Sequence, residues 1–346
     1  METHNVKNQA TGFGTFNYGL IKGLSTQNLT GLNVTLCAEN PAPLKAEFSN
    51  TFRYKKLIGL NRYPMFRVND KHDLWHSVNQ NIKFEPKRVS NYLLTVHDVN
   101  FAERGTDNKM SILFKEKLKR SNAITYISQY AKAQTHQYFD VPNVPQYIIY
   151  NGNPVDTAII PQNFTPDVPV NKPFIFSIGA FIPKKNFTAL INMMVHLPGY
   201  NLIIAGNNAN DYGAEVKQAI DTAGLQQRVF LTGKISNEAK QYYYAQCAAF
   251  ALASIAEGFG LPPIEAMTYG KPIFLANRAS LPEIGGTDAF YWDEFDAAHM
   301  AAEFNKGMEA YSNNPIAFAQ AYKQRAAGFS WDTAAKQYLD VYQSLL

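Results

Sequence analysis

The chain has 346 residues, 46% apolar and 17% charged, with 32 basic and 28 acidic side chains for a net charge of +4. That length suits two domains, and the composition excludes a disordered chain. Two cysteines exclude a disulfide scaffold and a four-cysteine zinc site, and no apolar run approaches the roughly 18 residues that span a bilayer.

The opening stretch, METHNVKNQA, is polar and has no secretory pattern, so a reducing cytosol is the expected compartment. Residues 1–170 carry 19 basic and 13 acidic side chains, too mild an excess for a nucleic-acid binder but enough to expect something anionic near that half. Residues 11–20 (TGFGTFNYGL) hold Gly12 and Gly14, which let a backbone turn approach a ligand closely. Short β-branched and aromatic runs at 33–38, 74–78, 92–96, 123–127 and 147–150 read as buried parallel strands. Residues 53–71 contain six basic side chains against one Asp. His72, Asp73 and His76 have a His-x-x-x-His spacing that could hold a metal on a helix. They lack the Glu of a His-Glu-x-x-His site, and we read them as structural. His97-Asp98 directly follows the 92–96 run, at a carboxyl end, where α/β sheets place ligands; Asp98 also suits a local turn acceptor. Residues 109–120 (KMSILFKEKLKR) form a basic amphipathic helix. Met110, Ile112, Leu113, Phe114 and Leu118 can share its apolar face, and such a helix either packs on the sheet or lies on anionic lipid.

Seven of the 18 prolines fall between 142 and 173 and mark a linker at 153–172. Beyond it the strands are expected at 174–178, 201–205, 228–231, 248–253 and 272–275. Helices are expected at 187–196, 214–223 and 237–245, an alternation that implies βαβ units. Lys184-Lys185-Asn186 form a loop after the first of these strands. Residues 248–276 carry the strongest signal. A buried strand ends near Ser254, the loop Glu257-Gly258-Phe259-Gly260-Leu261 follows, Pro262-Pro263 open a helix, and Gly270 suits its C-terminal cap. Two glycines permit close backbone approach, and the helix start offers free N–H groups and partial positive charge to a phosphate. Glu265, expected in the first helical turn, can accept hydrogen bonds from a ribose diol. Taken singly, it could serve only the helix dipole, and Glu257 could be a solvated loop residue.

The run E-G-F-G-L-P-P-I-E resembles the E-x7-E motif of retaining glycosyltransferase family 4 (glycosyl transferases group 1). Further matches, in family order, are the 11–20 glycine loop, His97-Asp98, the Tyr126–Lys132 run YISQYAK, IIYNG at 148–152, Lys-Lys-Asn, RVFLTGKISNE at 228–238 and Phe329-Ser330-Trp331. The resemblance implies an α/β GT-B fold, two Rossmann-like domains facing each other across a cleft. These are an acceptor-binding domain over 1–160, a nucleotide-sugar-binding domain over 161–325, and a C-terminal helix within 326–346 returning to the first. It implies transfer of a hexose from a GDP- or UDP-linked sugar to a glycan or glycolipid hydroxyl, with retention, by front-face attack and without a metal. No cofactor is implied beyond the nucleotide sugar as co-substrate. His97, Glu257 and Lys185 are the implied catalytic residues. Gly12, Gly14, Lys184, Lys185, Gly258, Phe259, Gly260, Leu261 and Glu265 are the implied donor contacts. Implied surroundings are the cytoplasm, with peripheral contact at the anionic cytoplasmic face of an inner membrane. A mannose-type donor is suggested only by the wording Gly-Phe-Gly-Leu-Pro-Pro. A nucleotide-sugar epimerase on the same fold and a non-catalytic nucleotide-sugar binding protein are the alternatives.

Overall fold

The computed structural model describes every residue except Ala10, Asp156 and Asn163, and the side chain of Arg104. The chain divides into two compact units, Met1–Pro154 with Phe329–Leu346, and Val155–Gly328. Asp156 and Asn163 of the expected linker lie outside the described residues.

The N-terminal unit contains β1 (Thr35–Ala38), β2 (Arg53–Lys56), β3 (His72–Ser77), β4 (Val89–Val96), β5 (Ala123–Tyr126) and β6 (Gln146–Ile148), with helices α1 (Gly12–Ser25), α2 (Ala42–Phe48), α3 (Lys109–Arg120) and α4 (Gln129–Tyr138). Strand pairing is parallel throughout, β1 with β2 and β3-β4-β5-β6 in order. The opening residues Met1–Thr3 run alongside β1. The Met1 ammonium donates to Thr35 O at 2.9 Å and Cys37 N donates to Met1 O at 3.0 Å. Thr3 N donates to Cys37 O at 2.9 Å and Glu2 N to His76 O at 3.2 Å. Met1–Thr3 therefore fill the gap between β1 and β3. A polar sequence can do this because the contact needs only main-chain groups.

One expectation for this unit is corrected: Gly12 and Gly14 lie in the first turn of α1, whose N-cap Thr11 accepts from Gly14 N at 3.2 Å, rather than in a loop. His72, Asp73 and His76 lie on β3, in line with the strand expected at 74–78 and with a structural role. On a strand, residues four apart are separated by about 13 Å, so the two histidines cannot share an ion. His76 is instead buried in a polar network, 2.7 Å from both Tyr342 OH and Thr95 Oγ1.

Helix α3 packs on the sheet. Phe114 and Leu118 are buried as expected, but so is Lys117, whose Nζ lies 3.0 Å from Glu85 Oε1 and 3.1 Å from Ser77 Oγ. Arg120 reaches Glu85 Oε2 at 3.2 Å, with its guanidinium 4.7 Å from the Tyr92 ring centre. Two of the basic side chains that suggested a lipid-facing helix thus neutralise one buried carboxylate, while Met110 and Ile112 remain outside.

The closing helix, Trp331–Leu345, belongs to this unit. Tyr338 OH lies 3.2 Å from Thr95 Oγ1, and Trp331 lies flat against glycines. A Cβ added at Gly19 would stand 2.1 Å from the Trp331 ring, and one at Gly152 would stand 2.4 Å from it.

The C-terminal unit holds β7 (Phe174–Ile178), β8 (Asn201–Ala205), β9 (Val229–Gly233), β10 (Ala249–Leu252), β11 (Ile273–Ala276) and β12 (Phe290–Trp292). Its helices are α5 (Phe187–Met194), α6 (Asp211–Thr222), α7 (Asn237–Gln246), α8 (Leu261–Thr268), α9 (Leu281–Gly285), α10 (Ala297–Asn313) and α11 (Pro315–Ala327). The six strands are parallel in the order β12-β11-β10-β7-β8-β9. Successive strands run outward from β7 on one side and from β10 on the other, so the order reverses between β7 and β10. Such a reversal opens a crevice at the strands' carboxyl ends.

Gly19 tests the Trp331 contact by sign. In an exposed helix Gly→Ala stabilises by about 1 kcal/mol, whereas overpacking costs about 1–3 kcal/mol. Gly19→Ala should lower the urea midpoint; an unchanged or raised midpoint would show that Trp331 can move aside.

Candidate active site

The loops after β7 and β10 meet at this reversal. Ile182 N donates to Ala180 O at 3.0 Å, and the single turn Pro183–Lys185 then leads to Asn186, which starts α5 in the left-handed conformation at φ 51°. This turn swings the Lys185 side chain back over Gly179, whose missing Cβ would lie 3.2 Å from Lys185 Cε. From the other loop, Ile255 N donates to Lys184 O at 2.9 Å. Ser280 Oγ donates to Glu257 O at 2.9 Å and Phe259 O at 2.6 Å, fixing the 257–259 backbone. The result is an ion pair between Lys185 Nζ and Glu257 Oε1, with side chains only 11% and 13% exposed. Each charge in so dry a place needs the other.

Gly260 caps α8 at φ 117°, a conformation that favours glycine, so the chain can turn directly from the Glu257 loop into the helix. The helix begins at Leu261, with Pro262 and Pro263 in its first turn. Glu265 therefore stands at the start of the second turn rather than in the first. It is not a free carboxylate. Its Oε1 lies 2.9 Å from Lys240 Nζ, and its Oε2 accepts from Tyr244 OH at 2.7 Å. Burial and the adjacent Glu265 carboxylate push the Tyr244 phenol well above its ordinary pKa, so it remains a donor.

In the N-terminal unit His97 follows β4 and is buried. Its Nε2 lies 2.9 Å from Val78 O, and its ring meets Phe13 and Phe16 edge-on at 4.9 and 4.6 Å. Burial pushes its pKa down to about 4. A carbonyl can only accept, so the neutral ring carries its proton on Nε2 and keeps Nδ1 as an acceptor. Gln80 holds the adjoining backbone at both ends: Oε1 accepts from His97 N at 3.1 Å and Nε2 donates to Asp98 O at 2.7 Å.

Residues 161–325 match the family described as "Glycosyl transferases group 1". This stretch of the chain is a domain of the glycosyl transferases of group 1. Among curated relatives, the chain is 25% identical over 278 residues to the O-antigen chain mannosyltransferase B of Escherichia coli, which covers 75% of this chain and 72% of that protein. It is 27% identical over 242 residues to the serotype-specific mannosyltransferase WbdA of Escherichia coli, covering 66% of this chain but only 29% of the larger protein. A solved structure of Anabaena HepE in complex with UDP and glucose superimposes with a TM-score of 0.73, at 17% identity and over 94% of this chain and 95% of that one. That likeness speaks for the fold, which is GT-B.

Of the site residues read from the sequence, the group 1 domain brings Lys185 and Glu257 into contact and puts Gly258, Phe259 and Gly260 between them and α8, which Leu261 begins. Glu265 has its own partners, and Lys184 joins the site through its main chain. Lys240, Tyr244 and Gln80 were not anticipated. Lys240 and Tyr244 are four apart on α7 and so share a face, a signal that was legible; Gln80 carries no signal of its own. Among the described residues, no three of His, Cys, Asp or Glu are grouped so as to hold a metal ion.

The His97 shift sets a pH dependence. Below 6.5 the unfolded chain takes up a proton at this ring that the folded chain refuses until about 4. Stability present above 6.5 is therefore lost as pH falls, by about 2 kcal/mol at about pH 5. His76 shifts in the same direction through burial, so the informative comparison is His97→Gln against the unaltered chain. The acid loss in urea melts should shrink by that amount, and parallel pH curves would contradict the buried neutral ring.

Proposed function

We propose that this group 1 glycosyltransferase moves a hexose from a GDP- or UDP-linked sugar to a glycan hydroxyl, with retention at the anomeric carbon and without a metal. The observation that carries this reading is the Lys185–Glu257 pair at the carboxyl ends of β7 and β10. As the sugar leaves, negative charge grows on the diphosphate and positive charge on the anomeric carbon. Lys184, Lys185 and the free N–H groups at the start of α8, with the backbone of Gly258–Leu261 beside them, are assigned to the diphosphate. Glu257 is assigned to the sugar hydroxyls and the positive charge. In the free protein each member of the pair holds the other in place. Glu265 is assigned to the ribose diol, steadied by Lys240 and Tyr244, and His97 Nδ1 to a hydroxyl of the transferred sugar. Gly12, with open space where a Cβ would stand, can admit a ligand; Gly14 has a packing reason of its own, since a Cβ there would lie 1.9 Å from Asn8 O.

In the front-face route the acceptor oxygen bonds to the anomeric carbon on the side from which the phosphate oxygen departs, and that phosphate oxygen takes the acceptor's proton. No carboxylate is assigned as a nucleophile. The relatives' names favour a mannosyl donor and a polysaccharide acceptor. An epimerase would turn over donor alone, and a binding module would turn over nothing.

Lys185→Met or Glu257→Met should cut turnover by about 100- to 1000-fold. Each also strands a buried charge, at about 3–5 kcal/mol, so loss of fold must be separated from loss of chemistry. The double Met variant removes both charges and should regain most of that stability while staying inactive. Near-normal transfer in any of the three would remove the proposed site. Glu265→Ala should weaken nucleotide affinity by about tenfold or more, the cost of a charge-assisted hydrogen bond, with little change in kcat. Unchanged affinity would contradict the ribose assignment.

A further inference from the structure

The segment between β2 and β3 has no counterpart elsewhere in the N-terminal unit. It runs through two short turns, Gly59–Arg62 and Pro64–Phe66, and within nine residues it exposes Ile58, Leu60, Tyr63, Met65 and Phe66. Met65 is 81% and Tyr63 61% exposed, and the other three about half. A scattered exposed leucine needs no explanation, but five large apolar side chains in one short loop do. The loop is held rigidly at its base rather than left loose. Asn61 Oδ1 accepts from Ile58 N at 2.8 Å, Asn61 Nδ2 donates to Phe66 O at 2.7 Å, and Leu57 and Val68 are buried. The sequence therefore invests hydrogen bonds in presenting apolar groups to the outside.

Charge identifies the occupant. Arg53, Lys55, Lys56, Arg62, Arg67 and Lys71 face one acidic residue, Asp70, over residues 53–71. Asp70 is engaged by Lys55, and Arg62 is engaged by Glu39. Arg53, Lys56, Arg67 and Lys71 have no ion-pair partner among the described residues. A partner protein core would match the apolar groups but not the flanking cations. An anionic bilayer matches both, taking the apolar tips between its headgroups and the cations at its surface. No described helix is long and apolar enough to cross a membrane, so the contact is one of surface insertion. Helix α3, whose basic amphipathic sequence is also compatible with lipid, instead turns Lys117 and Arg120 inward to Glu85.

We propose that the 57–71 loop is a membrane-docking element that inserts Leu60, Tyr63, Met65 and Phe66 at the surface of an anionic lipid bilayer. This stands independently of the donor site, since vesicle binding needs no nucleotide sugar and donor binding needs no vesicle. The test is co-sedimentation of the full chain with vesicles of phosphatidylcholine alone and of phosphatidylcholine mixed with phosphatidylglycerol. The chain should bind the mixed vesicles, less at high salt, and bind phosphatidylcholine weakly. Leu60→Asp/Met65→Asp should lower the bound fraction by about tenfold or more, and Arg67→Glu/Lys71→Glu should remove the preference for anionic lipid. These exposed positions can change without loss of the core, which a circular-dichroism melt verifies. Failure of the unaltered chain to sediment with anionic vesicles overturns the proposal. So does undiminished binding by the Leu60→Asp/Met65→Asp variant. A dimer in light scattering that this same variant dissociates would also overturn it, by showing that a second copy covers the loop.

Discussion

One constraint organises the C-terminal unit: an ammonium and a carboxylate, both nearly removed from water, must stand against each other. Neither tolerates that environment alone, and the surrounding structure exists to deliver them together. Strand order brings β7 and β10 side by side, a single turn and a left-handed Asn186 aim Lys185 back over Gly179, and Ser280 pins the backbone that carries Glu257. Because the pair is satisfied internally, the free protein holds its charges ready without stranding either. In the reaction we propose, an incoming diphosphate would offer Lys185 a second anion and leave Glu257 facing the sugar.

The N-terminal unit solves a different problem, keeping an imidazole neutral and fixed in one tautomer. Burial removes the charge, the Val78 carbonyl settles which nitrogen carries the proton, and the Gln80 amide holds the backbone at His97 N and Asp98 O. Met1–Thr3 bridge β1 and β3 through main-chain hydrogen bonds. The closing helix ties the sheet through Tyr338, Tyr342 and Trp331, so residues distant in sequence stabilise the platform beneath His97.

The sequence was most informative where structure and chemistry rely on short-range rules. Buried parallel strands announce themselves as apolar runs, and strand, Gly-x-Gly, Pro-Pro and glutamate in succession located the Glu257 loop. Reading failed where long-range partners decide. The strand β2, of sequence RYKK, is paired on β1 and reads as a charged stretch. The burial of Lys117 follows from Glu85, 32 residues earlier. Glu265 falls at the start of the second turn because α8 begins one residue before the prolines, at Leu261. The basic character of residues 53–71 was visible, but the outward display of their apolar neighbours was not, since only the folded loop decides which side chains remain wet.

The most direct measurement is a crystal structure of the chain with a nucleoside diphosphate bound. The account requires the diphosphate to lie between Lys185 and the amino end of α8 with the ribose against Glu265. A diphosphate lodged elsewhere, with Lys185 and Glu257 still paired and untouched, would contradict it.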